Sequence, residues 1–294
     1  ICPGGSITLT ATGAPDNSLA NVLNAINANS SGLIASIPTG AGFAMDLGVN
    51  FVDTADAYGE GYAEESLGDF LAAEKCRDRF LIATKFYWNF EQAERVPDTS
   101  YDYILRECEA SLRRLRIDTI DLYQIHAWDP LTRPEEVAAA FGRLRKEGKV
   151  RWFGVSNQNA AQMRMYLQYT DIECLQPLYN LLDREVEAED LPLCQEKRMG
   201  VITYSSLARG LLSGKYHKSE QFTDHRAQQK RFQGAAFERL LAGVQELQPI
   251  ADAHGLTLPQ LAVRWVLTHP AVTSAIVGVK RPEHIEGITA AADA

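Results

Sequence analysis

The sequence predicts an α/β fold, a (β/α)8 TIM-type parallel barrel, and three observations predict it. Short apolar runs recur from about residue 45 onward, amphipathic helical stretches separate them, and seven such runs fit in the 294 residues. The runs span 50–54, 80–84, 119–125, 150–155, 172–176, 200–204 and 273–277. Each is short and apolar, as expected of a parallel strand covered on both faces. Closure needs an eighth strand, so the N-terminal segment must supply the first.

That segment differs in kind. Residues 1–42 are rich in Ala, Asn, Ser, Gly and Thr, carry one charged residue, Asp16, and hold no aromatic side chain. Residues 1–44 are therefore read as an atypical N-terminal segment replacing the first β/α unit, and 45–294 as the barrel domain. Ser6–Thr12 alternates like a strand, Ser18–Asn29 could be a helix, and Leu33–Ile37 could be a strand; either strand candidate can fill the first position. Further on, Ile104, Cys108, Leu112 and Leu115 form a helical stripe, with Arg113, Arg114 and Arg116 at the negative end of the helix dipole. Thr132 and Glu135 read as a capping box for the helix whose apolar face is Val137, Phe141 and Leu144, with Gly148 after its end. Thr257–Leu267 repeats the pattern, closing before His269-Pro270. The polar stretch His217–Gln233 reads as a solvated loop rather than as a mobile clamp over a ligand.

Composition excludes several functions. Lys+Arg 29 against Asp+Glu 38 gives a net charge of −9, which disfavours a broad nucleic-acid-binding face. No apolar run reaches the ~18–20 residues that span a bilayer, and no secretory leader is visible. Five scattered cysteines without CxxC spacing suit reduced thiols in a cytoplasmic protein. His217, Glu220, Asp224 and His225 have irregular spacing, so no metal site is expected. There is also no GxGxxG or GxxxxGK[ST] loop.

Chemistry concentrates at strand ends. Phe51-Val-Asp53-Thr-Ala-Asp-Ala-Tyr58-Gly59 ends one predicted strand with an aspartate and places a tyrosine in the following loop. Phe80-Leu-Ile-Ala-Thr-Lys85 ends the next with a lysine, and Asp121-Leu-Tyr-Gln-Ile-His126 a third with a histidine. In a barrel these ends form the C-terminal mouth, where active sites are built. An ammonium beside a phenol favours the phenolate, so Lys85, kept charged by Asp53, is expected to lower the pKa of Tyr58.

These segments, in this order, resemble the aldo-keto reductase family over roughly residues 44–292. Gly154-Val-Ser156-Asn157, Gln176-Pro-Leu-Tyr179-Asn180, Tyr204-Ser205-Ser-Leu207-Ala-Arg209-Gly210 through Lys215, and Ile276-Val-Gly278-Val-Lys280-Arg281-Pro-Glu283-His284 continue the likeness. The resemblance implies a (β/α)8 barrel that reduces aldehyde or ketone carbonyls, some of them sugar-like, by hydride transfer from NADPH. It implies Asp53, Tyr58, Lys85 and His126 as the catalytic group, with Tyr58 the general acid. It places the nicotinamide carboxamide on Ser156, Asn157 and Gln176, and the ring against Tyr204. The pyrophosphate falls to Ser205, Leu207, Arg209, Gly210 and Lys215. The adenosine end falls to Gly278, Lys280 and His284, with Lys280 favouring NADP(H). Tyr87, Trp88 and Trp128 would wall the pocket of a small-molecule carbonyl substrate, with neither nucleic acid nor membrane as partner. An NADPH-binding regulatory module and a catalytically impaired chimera of the same fold are the alternatives.

Overall fold

Period two decides which way each strand side chain points, and here it separates a narrow lumen from a larger outer core. The computed structural model describes residues 33–35, 50–90, 95–278, 287, 288 and 291. Its strands are β1 (Leu33–Ala35), β2 (Phe51–Asp53), β3 (Leu81–Phe86), β4 (Trp88–Asn89), β5 (Val96–Pro97), β6 (Ile120–Ile125), β7 (Val150–Ser156), β8 (Cys174–Gln176), β9 (Gly200–Thr203) and β10 (Ser274–Val277). β4 and β5 form a short antiparallel pair outside the barrel. The other eight close in the order β1-β10-β9-β8-β7-β6-β3-β2. Of the two candidates for the first strand, the second fills the place. Leu33 to Ala35 pair in parallel with Ala275 to Val277, and Ala35 with Val52. Ser6–Thr12 and Ser18–Asn29 lie outside the described residues.

The helices are α1 (Tyr62–Glu74), α2 (Tyr101–Leu115), α3 (Pro134–Lys146), α4 (Ala160–Tyr166), α5 (Asp190–Lys197), α6 (Gly234–Glu246), α7 (Gln248–Ala253) and α8 (Leu258–Leu267). The expected stripe of α2 is buried in full, and the helix ends on Arg116 in the left-handed region at φ 54°. Val137, Phe141 and Leu144 of α3 are likewise buried, and Phe141 stacks on Phe153 of β7 at 3.8 Å. The capping box expected at Thr132 does not form. The Thr132 hydroxyl donates to Asp129 Oδ2 at 2.8 Å, and α3 begins at Pro134 after Arg133. Proline at the first turn has no N–H to cap, which removes one reason for the box. Thr257 does cap α8, in a reciprocal box with Gln260.

The lumen is filled by Phe51, Leu81, Ala83, Leu122, Cys174, Ile202 and Ile276. The alternate residues, such as Val52, Ile82, Tyr123, Leu175 and Val201, face outward into the core shared with the helices. A third cluster, around Leu211, Tyr216, Phe232, Phe237 and Leu258, packs the segment after β9 against α6 and α8. Most of 217–233 is exposed, as a solvated loop would be, but its end is anchored to this cluster. Two 3-10 turns, His225–Gln228 and Lys230–Phe232, form there, Phe232 is buried, and Arg231 makes a bidentate pair with Asp183. Cys76, Cys108, Cys174 and Cys194 are buried free thiols. Among the described residues, no helix is long and apolar enough to cross a membrane.

Close approach of α1 to α2 depends on a glycine. A Cβ at Gly68 would stand 2.3 Å from the Arg114 carbonyl oxygen, which is backbone and cannot swing aside. Gly68→Ala is therefore expected to cost about 1–3 kcal/mol, as overpacked sites do, despite alanine's higher helix propensity. Urea denaturation checks this; a variant as stable as the parent contradicts the packing.

Candidate functional site

At the C-terminal end of the barrel the inward positions turn from apolar to polar. Phe51 is followed two residues on by Asp53, Ala83 by Lys85, Leu122 by Gln124 and then His126, Cys174 by Gln176, and Ile202 by Tyr204. The same alternation that fills the lumen with hydrocarbon thus gathers polar groups at one mouth.

Lys85 is fully buried, and each hydrogen on its ammonium has an acceptor in reach. Nζ donates to Asp53 Oδ2 at 2.6 Å, to the Thr54 carbonyl at 2.8 Å and to Tyr58 Oη at 3.5 Å. Burial opposes the charge, but Asp53 and Tyr58 outweigh it, and the amine sits above its ordinary value. Asp53 is held from the other side, where Oδ1 accepts from Gln176 Nε2 at 2.8 Å and from Gln124 Nε2 at 3.5 Å. The backbone carries Tyr58 into place through Tyr58 N–H to Ala55 O and Ala63 N–H to Tyr58 O, both 3.1 Å. Tyr58 is partly exposed, while its hydroxyl meets buried Lys85.

The expected lowering of the Tyr58 pKa is not the outcome. Burial raises it, and the opposing pull of Lys85 is smaller, partly because Asp53 offsets it. Tyr58 is consequently a protonated phenol at neutral pH. His126 stands edge-on to the Tyr58 ring, with centroids 5.9 Å apart. Burial first, and the Lys85 charge second, hold its imidazole down to about 3, so it is neutral and able to donate one N–H.

The structure joins most of the remaining predicted residues into one chain of contacts. Tyr204 Oη donates to Asn157 Oδ1 at 2.6 Å. Asn157 Nδ2 donates to the His126 carbonyl at 2.9 Å and to Ser156 Oγ at 3.1 Å. Ser156 Oγ donates in turn to the Gln176 carbonyl at 2.9 Å. Gln176, expected at a carboxamide, has its side-chain Nε2 on Asp53. Beyond β9 the chain turns through Ser205, Ala208, Arg209 and Gly210, all at positive φ. Gly210 is required there, since a Cβ would stand 2.6 Å from Tyr216 Oη. Arg209 and Lys215 are exposed, Leu207 packs against two clusters, and Gly278 is exposed past β10. Tyr87 is buried and donates to the Trp128 carbonyl at 3.0 Å; Trp88 lies edge-on to it, and both tryptophans are half-buried. Lys280 and His284 lie outside the described residues. Among the described residues, no group of three or more His, Cys, Asp or Glu could hold a metal ion.

Two contributors escaped sequence reasoning. Thr54 acts through its carbonyl, which no residue type signals. Gln124 is a polar residue at an inward position of an apolar strand, two before His126, and that periodicity was the available signal.

The fold and site are thus a parallel barrel with a buried lysine–aspartate pair against a phenol at its C-terminal mouth. Comparison with known proteins names the family this arrangement belongs to. The Aldo/keto reductase family model matches residues 38–294. The chain is 36% identical over 249 residues to the aldo-keto reductase YhdN of Bacillus subtilis strain 168, covering 84% of this chain and 75% of that protein. It is 33% identical over 258 residues to the NADH-specific methylglyoxal reductase of Escherichia coli K12, covering 83% and 78%. The glycerol dehydrogenase AKR11B4 of Gluconobacter oxydans superposes with a TM-score of 0.80 at 33% identity, over 94% of this chain and 81% of that one. The chain belongs to the aldo/keto reductase family, oxidoreductases that use nicotinamide cofactors on small carbonyl compounds.

The residues present fit such a cofactor. The half-buried Tyr204 ring is pinned by its hydroxyl beside the polar mouth, and next to it the chain makes a tight turn at 208–210, held by Ala208 N–H to Ser205 O at 2.7 Å and Gly210 N–H to Leu207 O at 2.9 Å. Exposed Arg209 and Lys215 add positive charge to that turn.

Asp53→Asn would leave the Lys85 ammonium buried without a counter-charge. Breaking a buried pair from one side costs about 3–5 kcal/mol, and a loss of that size in urea denaturation at neutral pH is expected. A loss below about 1 kcal/mol, the range of an exposed pair, contradicts the burial.

Proposed function

We propose that the chain reduces the carbonyl of small aldehydes and ketones to the alcohol, with NADPH as hydride donor and Tyr58 as general acid. The observation that carries the reading is the contact of Lys85 Nζ with Tyr58 Oη at 3.5 Å, inside a pair with Asp53 that keeps the amine charged. When bound, the nicotinamide supplies the hydride, which no side chain can.

The residues of the chain handle the proton. Tyr58 is protonated at rest because burial raises its pKa, so it presents an O–H to the carbonyl oxygen. Giving up that proton leaves a phenolate beside an ammonium. At this kind of separation the attraction is on the order of 4 kcal/mol, available only once the negative charge has formed. His126, neutral, donates a second hydrogen bond to the same oxygen and fixes its position. Ser156, Asn157 and the Gln176 amide oxygen hold the carboxamide, Tyr204 covers the ring, and the turn at Ser205–Gly210 with Arg209 and Lys215 holds the pyrophosphate. Tyr87, Trp88 and Trp128 exclude water from the carbonyl. Methylglyoxal, the substrate in a relative's name, and glyceraldehyde, near the glycerol of another, are small polar carbonyl probes of the right class.

The test follows NADPH absorbance with methylglyoxal and glyceraldehyde. Tyr58→Phe is expected to lower kcat by about 10²–10⁴-fold, the usual worth of a general acid, while NADPH binding changes little. Near-normal turnover in that variant refutes the role. Lys280→Ala should weaken NADPH more than NADH, because a single cation on the 2′-phosphate is lost only with the former. Equal weakening of both removes the preference for NADPH.

A further inference from the structure

The outward faces of the strands that carry Asp53 and Lys85 hold a second polar group. Asp56 is 1% exposed in the loop between β2 and α1, two residues before Tyr58. Its N–H donates to the Lys85 carbonyl at 3.1 Å. Its side chain accepts from the adjacent Ala57 N–H at 2.5 Å, and Oδ2 has no hydrogen-bond partner among the described residues. From α1, Glu64 is fully buried and is satisfied by Thr84 Oγ1 of β3 and by Arg114 Nε of α2, both at 2.6 Å. From α2, Glu107 pairs with Arg114 Nη2, which also reaches Ser111 Oγ at 3.2 Å. Tyr103 and Cys108 of α2, Tyr123 of β6, Tyr58, and Arg106 of α2 are the other titratable groups facing this cluster. Burial holds the first three above their ordinary values, so they stay neutral and add no charge.

Three carboxyl groups therefore gather around the Arg114 guanidinium, with Arg106 acting on Glu107 as well, and the carboxyl without a hydrogen bond to Arg114 is Asp56. Two negative charges beside one positive charge are tolerable in a half-buried site; a third, fully buried and unpaired, is not. We propose that Asp56 is a positioning residue that holds the Tyr58 loop against β3 only while it carries a proton, and that loss of this proton releases Tyr58 from Lys85. The proposal rests on Tyr58 as the general acid only for its effect on rate.

Burial, then Glu107 and Glu64, push the carboxyl up to about 8. A native-state value raised above the unfolded one means stability fully present below about pH 4 and lost as pH rises through about 8. Two measurements read this, both from about pH 6 to about pH 10. The first is kcat/KM for methylglyoxal with NADPH, which is expected to fall about tenfold per pH unit beyond about 8 in the parent. In Asp56→Asn, permanently neutral, that limb should move upward by at least about one pH unit, toward the range of the Tyr58 phenol. The second is the melting temperature, which in the parent should fall from about pH 6 to about pH 8 and level off above it, a decline that the variant lacks. Curves for Asp56→Asn that superpose on the parent's in both measurements overturn the proposal. If Asp56→Asn does not fold, Glu107→Gln replaces it: removing a neighbouring negative charge should shift both parental midpoints to lower pH, and unmoved midpoints overturn the proposal. No turnover at any pH, with a melting profile that responds to Asp56→Asn, removes the reductase reading and supports the proton on Asp56.

Discussion

A lysine ammonium with no exposed surface is the constraint on which the rest of this molecule depends. Burying that charge would be prohibitive alone, and the barrel meets the cost with one carboxylate, one backbone carbonyl and one phenol around a single nitrogen. Each acceptor comes from β2 or the loop after it, so the pairing of β2 with β3 and the chemistry of the mouth are the same interaction. Asp53 in turn needs its second oxygen satisfied, and Gln176 reaches it from β8 across the lumen. The polar mouth is thus braced from opposite walls of the barrel.

From this centre the hydrogen bonds continue around the rim. Gln176 leads to Ser156, Ser156 to Asn157, and Asn157 to both His126 and Tyr204. The residues expected to touch a nicotinamide are therefore fixed to those expected to move the proton, which is how a site is pre-organised rather than assembled on binding. The outward side of the same strands adds a complementary device. Thr84, next to Lys85 and pointing the other way, anchors Glu64, and the acidic group around Arg114 lies against the loop that presents Tyr58. One pair of strands thereby sets both the electrostatics of the phenol and the support of its backbone.

Much of this was legible before any coordinates, for a physical reason. Strand-end residues such as Asp53, Lys85 and His126 sit at positions that a local two-residue period determines, and apolar runs marked the strands. Features that depend on depth or on distant partners were not legible. The sign of the Tyr58 shift turns on burial against the charge of Lys85, and no sequence spacing reports burial. Glu64 and Arg114 are 50 residues apart and meet only because Gly68 lets two helices approach. Thr132 looked like a cap until Asp129 took its hydroxyl. The first strand had two equal candidates by pattern, and pairing with β2 and β10 favoured Leu33–Ala35.

The central claim is that Lys85 is a permanently charged amine inside the barrel. Nitrogen-15 NMR of the lysine side chains, titrated through alkaline pH, measures this directly at Nζ. The account predicts an ammonium signal for Lys85, identified by its loss in Lys85→Met, that persists beyond the ordinary lysine value of 10.5. A Lys85 amine that loses its proton near neutral pH contradicts the account, because the phenol beside it would then have no positive charge to meet.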